Sequence, residues 1–267
     1  MFQTVFLKTL HDHRRGLFGW SVAIAFLVLL ECALWPSIRD APGLQDLYKS
    51  FPEEMRTFFD LEAMTTGIGF LNAELFTLLL PGMFLVYGIS RGAKAIAGEE
   101  EQGTLEPLLV TPVSGARIVL DKALALAVSI ATLGLVLFTA TLLGSLAFDL
   151  GIGPSDAAGG AIAMTLLGIE YGELALAVGA LTGRRAVAIA FSAVAATGGY
   201  VLYAAGLMLE AVESWAPLSP FHQAFTGGPL GAGLPAAYLW LLGGAAVLVA
   251  LALPSLDGRD IATSHGR

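Results

Sequence analysis

The chain is 267 residues long, with 56% apolar and 13% charged residues and a formal net charge of −8. Soluble domains carry about 25% charged residues, so a mean hydropathy of +0.74 excludes an ordinary water-soluble fold and indicates a membrane protein. The net charge by itself says little about nucleic acid, but without a basic patch a polynucleotide partner is not expected, and the single cysteine, Cys32, excludes an intramolecular disulfide.

In chain order, residues 1–16 are amphipathic. Phe2, Val5, Phe6, Thr9, Leu10 and His13 share one helical face, and Lys8, Arg14 and Arg15 supply positive charge. The pattern predicts an interfacial helix leading into the bilayer. A signal peptide also begins with a basic region, but here the apolar stretch is long and the rest of the chain is equally apolar. Segments long enough to cross about 30 Å of hydrocarbon, at about 20 residues each, fall near 17–36, 67–90, 120–147, 159–181, 186–209 and 234–254. Backbone groups in lipid must be satisfied within the segment, so these are helices. Cys32 lies in the first and reads as a small core residue.

Six spans place both termini on one side. Lys8, Arg14, Arg15, Arg91, Lys94, Arg117, Lys122, Arg184, Arg185, Arg259 and Arg267 fall on that side, leaving Arg39, Lys49 and Arg56 opposite. By the positive-inside rule both termini and the loop 98–122 are cytoplasmic. The outer loop 37–66 has two apolar faces of its own. Leu44, Leu47, Tyr48 and Phe51 form one, while Pro52, Glu53 and Glu54 open a second helix carrying Met55, Phe58 and Phe59. Trp20, Trp35, Trp215 and Trp240 sit mostly near span ends, as interface anchors do.

Residues 98–122, GEEEQGTLEPLLVTPVSGARIVLDK, are the long polar interruption on the cytoplasmic side. Gly103 and Pro112 bracket a run in which Leu105, Leu108 and Leu109 fall at i, i+3, i+4 on one helical face. Pro107 suits the first turn of such a helix. Pro112 stops it, and Ser114 is placed to cap the next helix. Glu99, Glu100, Glu101 and Glu106 make its flanks acidic. Two readings stand: a solvated loop with a helical turn on the membrane surface, or a docking helix with leucine anchors and a carboxylate rim.

Glu31, Asn72, Glu74, Glu170 and Glu173 fall within expected spans. A carboxylate at bilayer depth costs about 2.5–3.5 kcal/mol on insertion scales and so faces the bundle or a wet cavity. Glu170 and Glu173 are i, i+3 and share a face, with Gly168 and Gly172 beside them for close packing. They line a substrate path or subunit interface, or they belong to a structural hydrogen-bond network. Glu31 lies close enough to the outer surface to be solvated. Gly179, Gly183, Gly198, Gly199, Gly243 and Gly244 read as packing residues.

A Walker A loop needs Gly-Lys-Ser/Thr, and no lysine here follows a glycine. The chain therefore carries no nucleotide-binding domain. His11, His13, His222 and His265 show no metal-ligand spacing, and no Gly-x-Ser-x-Gly elbow occurs. No catalytic, cofactor-binding or metal-binding residue is expected.

The run from Glu99 to Val113, E-x-x-x-G-T-L-E-x-L-L-x-T-P-V, resembles the signature of ABC-2 type transporter permeases, the bacterial membrane subunits that pair with a separate ATPase. The outer-loop run from Leu47 to Phe59, Phe70 to Phe76 (FLNAELF), and the tail Leu256 to Ile261 (LDGRDI) resemble further parts of that family. In the tail, Gly258 stands where the family usually has a basic residue. The resemblance implies an all-α polytopic protein, one transmembrane domain over 1–267. It implies six spans, an elbow helix at the N-terminus, and a coupling helix between spans 2 and 3.

The resemblance further implies that Glu99, Glu100, Gly103, Thr104, Leu105, Glu106, Leu108, Leu109, Thr111 and Pro112 meet an ABC ATPase subunit that binds ATP and Mg²⁺. Asn72, Glu74, Glu170 and Glu173 are candidates for a substrate pathway or subunit interface. Its other expectations are a second permease copy or related chain, membrane lipid as surroundings, export across a bacterial or archaeal inner (plasma) membrane, and no enzyme activity of the chain's own. The alternatives are a proton-coupled secondary transporter or channel using the intramembrane glutamates, and a membrane scaffold without transport.

Overall fold

The computed structural model describes residues 4–40, 51–52, 65–104 and 113–256. The two outer-loop helices expected within 37–66, the leucine run 105–112 and the tail beyond Leu256 lie largely or wholly outside those residues. Among the described residues every regular element is helical. Five helices are long and apolar enough to span a membrane, and a bent pair supplies a sixth.

Helix α1 runs Val5–Arg39 as one piece, its N-terminus capped by Thr4, whose hydroxyl accepts from the Leu7 N–H at 3.2 Å. From Val5 onward, the interfacial helix expected over 1–16 is thus continuous with the first span. The reason is local: no proline interrupts the chain before Pro36, and an internal glycine such as Gly16 or Gly19 costs a helix only about 1 kcal/mol. At 35 residues and about 1.5 Å per residue, α1 is about 52 Å long, so its first turns project beyond the hydrocarbon. Its buried stripe is Thr9, His13, Ile24, Val28, Cys32 and Trp35, packed on α4 (Gly115–Phe148). Cys32 is fully buried there, because Gly144 leaves room for its sulfur.

The second span was expected as one helix over 67–90 and is instead broken. Helix α2 (Gly67–Leu71) leads into a π-helical turn, Asn72–Phe76, and α3 (Leu79–Ala93) restarts at a 41° bend. Pro81 explains the restart. In an uninterrupted helix its ring would strike the carbonyl of Thr77, whereas within the first turn of α3 it is tolerated. Leu78 accordingly leaves helical geometry (φ −137°, ψ −52°). The Asn72 carbonyl, bypassed by the wider turn, accepts from both the N–H (2.9 Å) and the hydroxyl (2.8 Å) of Thr77. A second π turn, Lys94–Gly98, carries α3 to the last helical turn at Glu99–Glu101.

Helix α5 (Pro154–Thr182) is the centre of the bundle, packing on α3, α4, α6 (Arg185–Met208) and α8 (Tyr238–Ala252). Its tightest neighbour is α3. Gly88 and Gly92 face Gly168 and Gly172, so each helix presents a small-xxx-small pair to the other. A methyl group on Gly88 would sit 2.5 Å from the Gly168 carbonyl oxygen, and one on Gly92 would collide with the Gly172 carbonyl. In lipid, where burial gains little from excluding water, this approach lets dispersion hold the pair together.

Helix α4 begins as expected at Ser114, whose hydroxyl accepts from the Arg117 N–H at 3.3 Å. It ends at Asp149 in left-handed geometry (φ 61°). The turn into α5 is fixed by Ser145, which donates to the Ile152 carbonyl (3.1 Å) and accepts its N–H (2.9 Å). On the same side, the short helix α7 (Pro220–Phe225) folds back against α6, capped by Ser219. Tyr171, Tyr200, Tyr203, Phe221 and Phe225 interlock there with ring centroids 5.1–5.8 Å apart.

Candidate functional site

The polar interruption 98–122 is anchored where the chain leaves the second span. Gly103, with φ +67°, ends the preceding helical turn in a Schellman arrangement: its N–H donates to the Glu100 carbonyl (3.0 Å) and the Thr104 N–H to the Glu99 carbonyl (2.8 Å). The Thr104 hydroxyl adds a third bond to the Glu99 carbonyl at 3.1 Å. Gly103 is therefore where the chain leaves the second span, and only a residue tolerant of positive φ serves there.

The acidic run just before it is used internally. Glu99 Oε1 accepts from Lys122 Nζ at 2.7 Å, across to α4. Glu101 Oε1 accepts the backbone N–H of Arg185 at 2.9 Å, reaching the turn between α5 and α6. The Glu100 carboxylate lies against Gly183 of that turn. Of the residues expected at an ATPase interface, Glu99 and Glu100 thus brace the bundle, and Gly103 and Thr104 start the loop. Leu105, Glu106, Leu108, Leu109, Thr111 and Pro112 lie outside the described residues.

Sequence reasoning counted Lys122 only as a cytoplasmic charge. Yet it falls inside the apolar stretch 120–147 and is 1% exposed. A lysine in an apolar run requires a partner, and that was the available signal for its pairing with Glu99. Arg185 gave no such signal, because its contribution is a backbone N–H.

Within the membrane, a groove of about 470 Å³ opens between α5, α6 and α8, with Glu170 on its wall. Tyr171 and Leu174 come from α5, Gly198 and Gly199 from α6, and Gly244 from α8. Gly244 is small because Glu170 occupies the space: a Cβ there would collide with the carboxylate. Glu173 is not part of this groove. It is 2% exposed, and its Oε2 has no partner among the described residues. Two residues at i, i+3 share a face only loosely, about 60° apart on a helix of 3.6 residues per turn. Here that angle separates a groove wall from the interior.

Asn72 and Glu74 also part company. The Asn72 side chain donates to the Leu230 carbonyl and accepts the Leu230 N–H, both at 3.0 Å. It thereby pins the turn 226–233 to the second span, which is structural work. Glu74 is exposed on the π turn. The structure brings neither of them to the Glu170 groove.

A family model described as ABC-2 family transporter protein matches residues 3–260. No curated protein matches the chain.

Proposed function

The chain belongs to the ABC-2 family of transporter proteins, which makes it a membrane permease subunit of an ABC transporter; on that premise we propose that it is an exporter driven by ATP hydrolysis on a separate ATPase. In this reading the ATPase docks on the leucine run Leu105, Leu108 and Leu109, rimmed by Glu106. ATP and Mg²⁺ bind on that partner, and a second permease copy or related chain completes the pathway. Closure of the ATPases pushes the 103–112 segment and re-tilts the spans. The membrane is the plasma membrane, with both termini cytoplasmic, as the distribution of Lys and Arg supports.

The observation that carries the reading is the bracing of the loop. Glu99–Lys122 joins its entry to α4, and Glu101–Arg185 joins it to the α5–α6 turn. A force that reaches Glu99–Glu101 is therefore delivered to the second, third, fourth and fifth spans together. Since α5 carries Glu170 into the groove, movement at the foot reaches the candidate pathway through one rigid helix.

The test is Leu108→Ala/Leu109→Ala. Truncation removes about 2 kcal/mol per side chain at ~0.8 kcal/mol per buried CH₂, and central apolar anchors dominate such interfaces. The double variant is expected to insert normally but to lose the ATPase on purification, along with ATP-driven transport, while Leu44→Ala/Leu47→Ala retains both. Full retention of the ATPase by Leu108→Ala/Leu109→Ala overturns the docking assignment. Transport insensitive to ATP depletion favours the proton-coupled alternative instead. For orientation, a cysteine at Gly103 is expected to be shielded from an impermeant thiol reagent added outside, and one at Lys49 to react.

A further inference from the structure

Between the first turns of α1 and the foot of α3 lies a second cavity, of about 470 Å³, with Glu99 and Thr104 at the start of the loop on its rim. Lys8, Arg14 and Arg15 reach it from α1, Arg91 and Lys94 from the second span. Its carboxylates are Asp12 and Glu99, and Glu99 is already engaged by Lys122. Among the described residues, none of the five cations lies within ion-pair distance of a carboxylate. In a chain with a net charge of −8, a hollow with this surplus of positive charge is set up to attract an anion.

The hollow is built rather than incidental. Arg91 lies against the backbone of α1 at Gly16, where any Cβ would collide with its guanidinium. Tyr87 holds the same group from below, with Cζ 5.6 Å from the ring centroid. The guanidinium is thus placed before a ligand arrives, which lowers the entropy that binding must overcome. Guanidinium forks match phosphate oxygens bidentately, and the lysines add point charge.

We propose that this cavity binds a phosphate group, that of an anionic phospholipid headgroup. Two observations favour lipid over a soluble phosphate. The cavity lies beside the charged first turns of α1, just ahead of its long apolar stretch, and basic pockets next to membrane-spanning helices recognise anionic headgroups. Above it on α1, Phe18, Val22 and Phe26 follow Arg15 at i+3, i+7 and i+11, on the same helical face. They are 73%, 52% and 65% exposed, an apolar track on which acyl chains can lie while the headgroup sits among the cations.

The full chain, delipidated in detergent, is titrated separately with short-chain phosphatidylglycerol, phosphatidylcholine and inorganic phosphate, with bound ligand read by native mass spectrometry. Phosphatidylglycerol is expected to bind at least tenfold tighter than phosphatidylcholine, with inorganic phosphate a weak competitor. Arg15→Gln/Lys94→Gln, both at exposed positions, is expected to lose that preference about tenfold. Arg184→Gln, an exposed cation elsewhere on the same side, keeps it. Arg14→Gln serves as an independent second variant should the double one fail to fold.

Equal binding of the two lipids, or equal loss in Arg184→Gln, overturns the site. Inorganic phosphate binding as tightly as phosphatidylglycerol overturns the lipid assignment in favour of a soluble phosphate compound. Variants that bind lipid normally but shed the ATPase overturn it in favour of a protein contact. The titration needs neither ATP nor transport, so its failure leaves the permease reading standing.

Discussion

Lys122, only 1% exposed, donates to Glu99 across 2.7 Å and so ties the third span to the end of the second at the point where the loop begins. Breaking a fully buried pair from one side costs about 3–5 kcal/mol. Glu99 retains 21% exposure, and water there softens the penalty. Glu99→Gln is therefore expected at the low end, about 3 kcal/mol, seen as a lower thermal midpoint of the purified protein. Glu99→Gln/Lys122→Met, which removes both charges, is expected to recover most of that loss. A single variant as stable as the parent shows that the pair does not brace the loop.

The glycine interface between α3 and α5 makes a sharper contrast. Gly88→Ala or Gly92→Ala forces a methyl group into opposing backbone that no rotamer change relieves. Overpacking of this kind costs about 1–3 kcal/mol, so yield and thermal midpoint are expected to fall for either variant. Gly198→Ala and Gly243→Ala meet nothing within 4 Å and are expected to fold as the parent does, or slightly better, since alanine favours helix. Equal behaviour of the two groups contradicts the close approach.

Asn72→Ala is expected to loosen the turn 226–233 rather than to impair transport chemistry. It orphans the Leu230 carbonyl and N–H, each a loss of about 1–3 kcal/mol when buried. Hydrogen exchange at 227–233 is expected to rise by an order of magnitude or more, with ATPase association unchanged. Unchanged protection there removes the structural role assigned to this side chain.

The two glutamates of α5 are expected to respond differently. Glu170→Gln alters a groove wall and is expected to lower transport severalfold while leaving expression and ATPase association intact. Glu173→Gln keeps the shape of a side chain that is 2% exposed and removes a group that charge would make costly to bury. It is expected to leave the thermal midpoint unchanged or higher, with transport near that of the parent. A transport defect confined to Glu173→Gln reverses the assignment.

By itself the sequence determined the family, the six apolar stretches, the side on which basic residues collect and the Ser114 cap. Each is a local property: about 20 apolar residues must become helix in lipid, and a serine before a helix caps it wherever it folds. Even the broken second span was within reach, since Pro81 forbids an uninterrupted helix through Thr77, although the apolar run alone reads as continuous. Tertiary structure alone decided the partners of the polar groups. Asn72 meets Leu230 at a sequence separation of 158 residues, and Glu101 meets the Arg185 backbone at 84. Which of Glu170 and Glu173 faces a groove turned on about 60° of helix rotation, set by where the glycine pairs seat α5 on α3. The cations of α1 and α3 are more than 70 residues apart in the chain, and they share one cavity because Gly16 lets Arg91 lie against the first helix. Periodicity assigns a residue to a face, whereas only the packing of one helix on another says what that face meets.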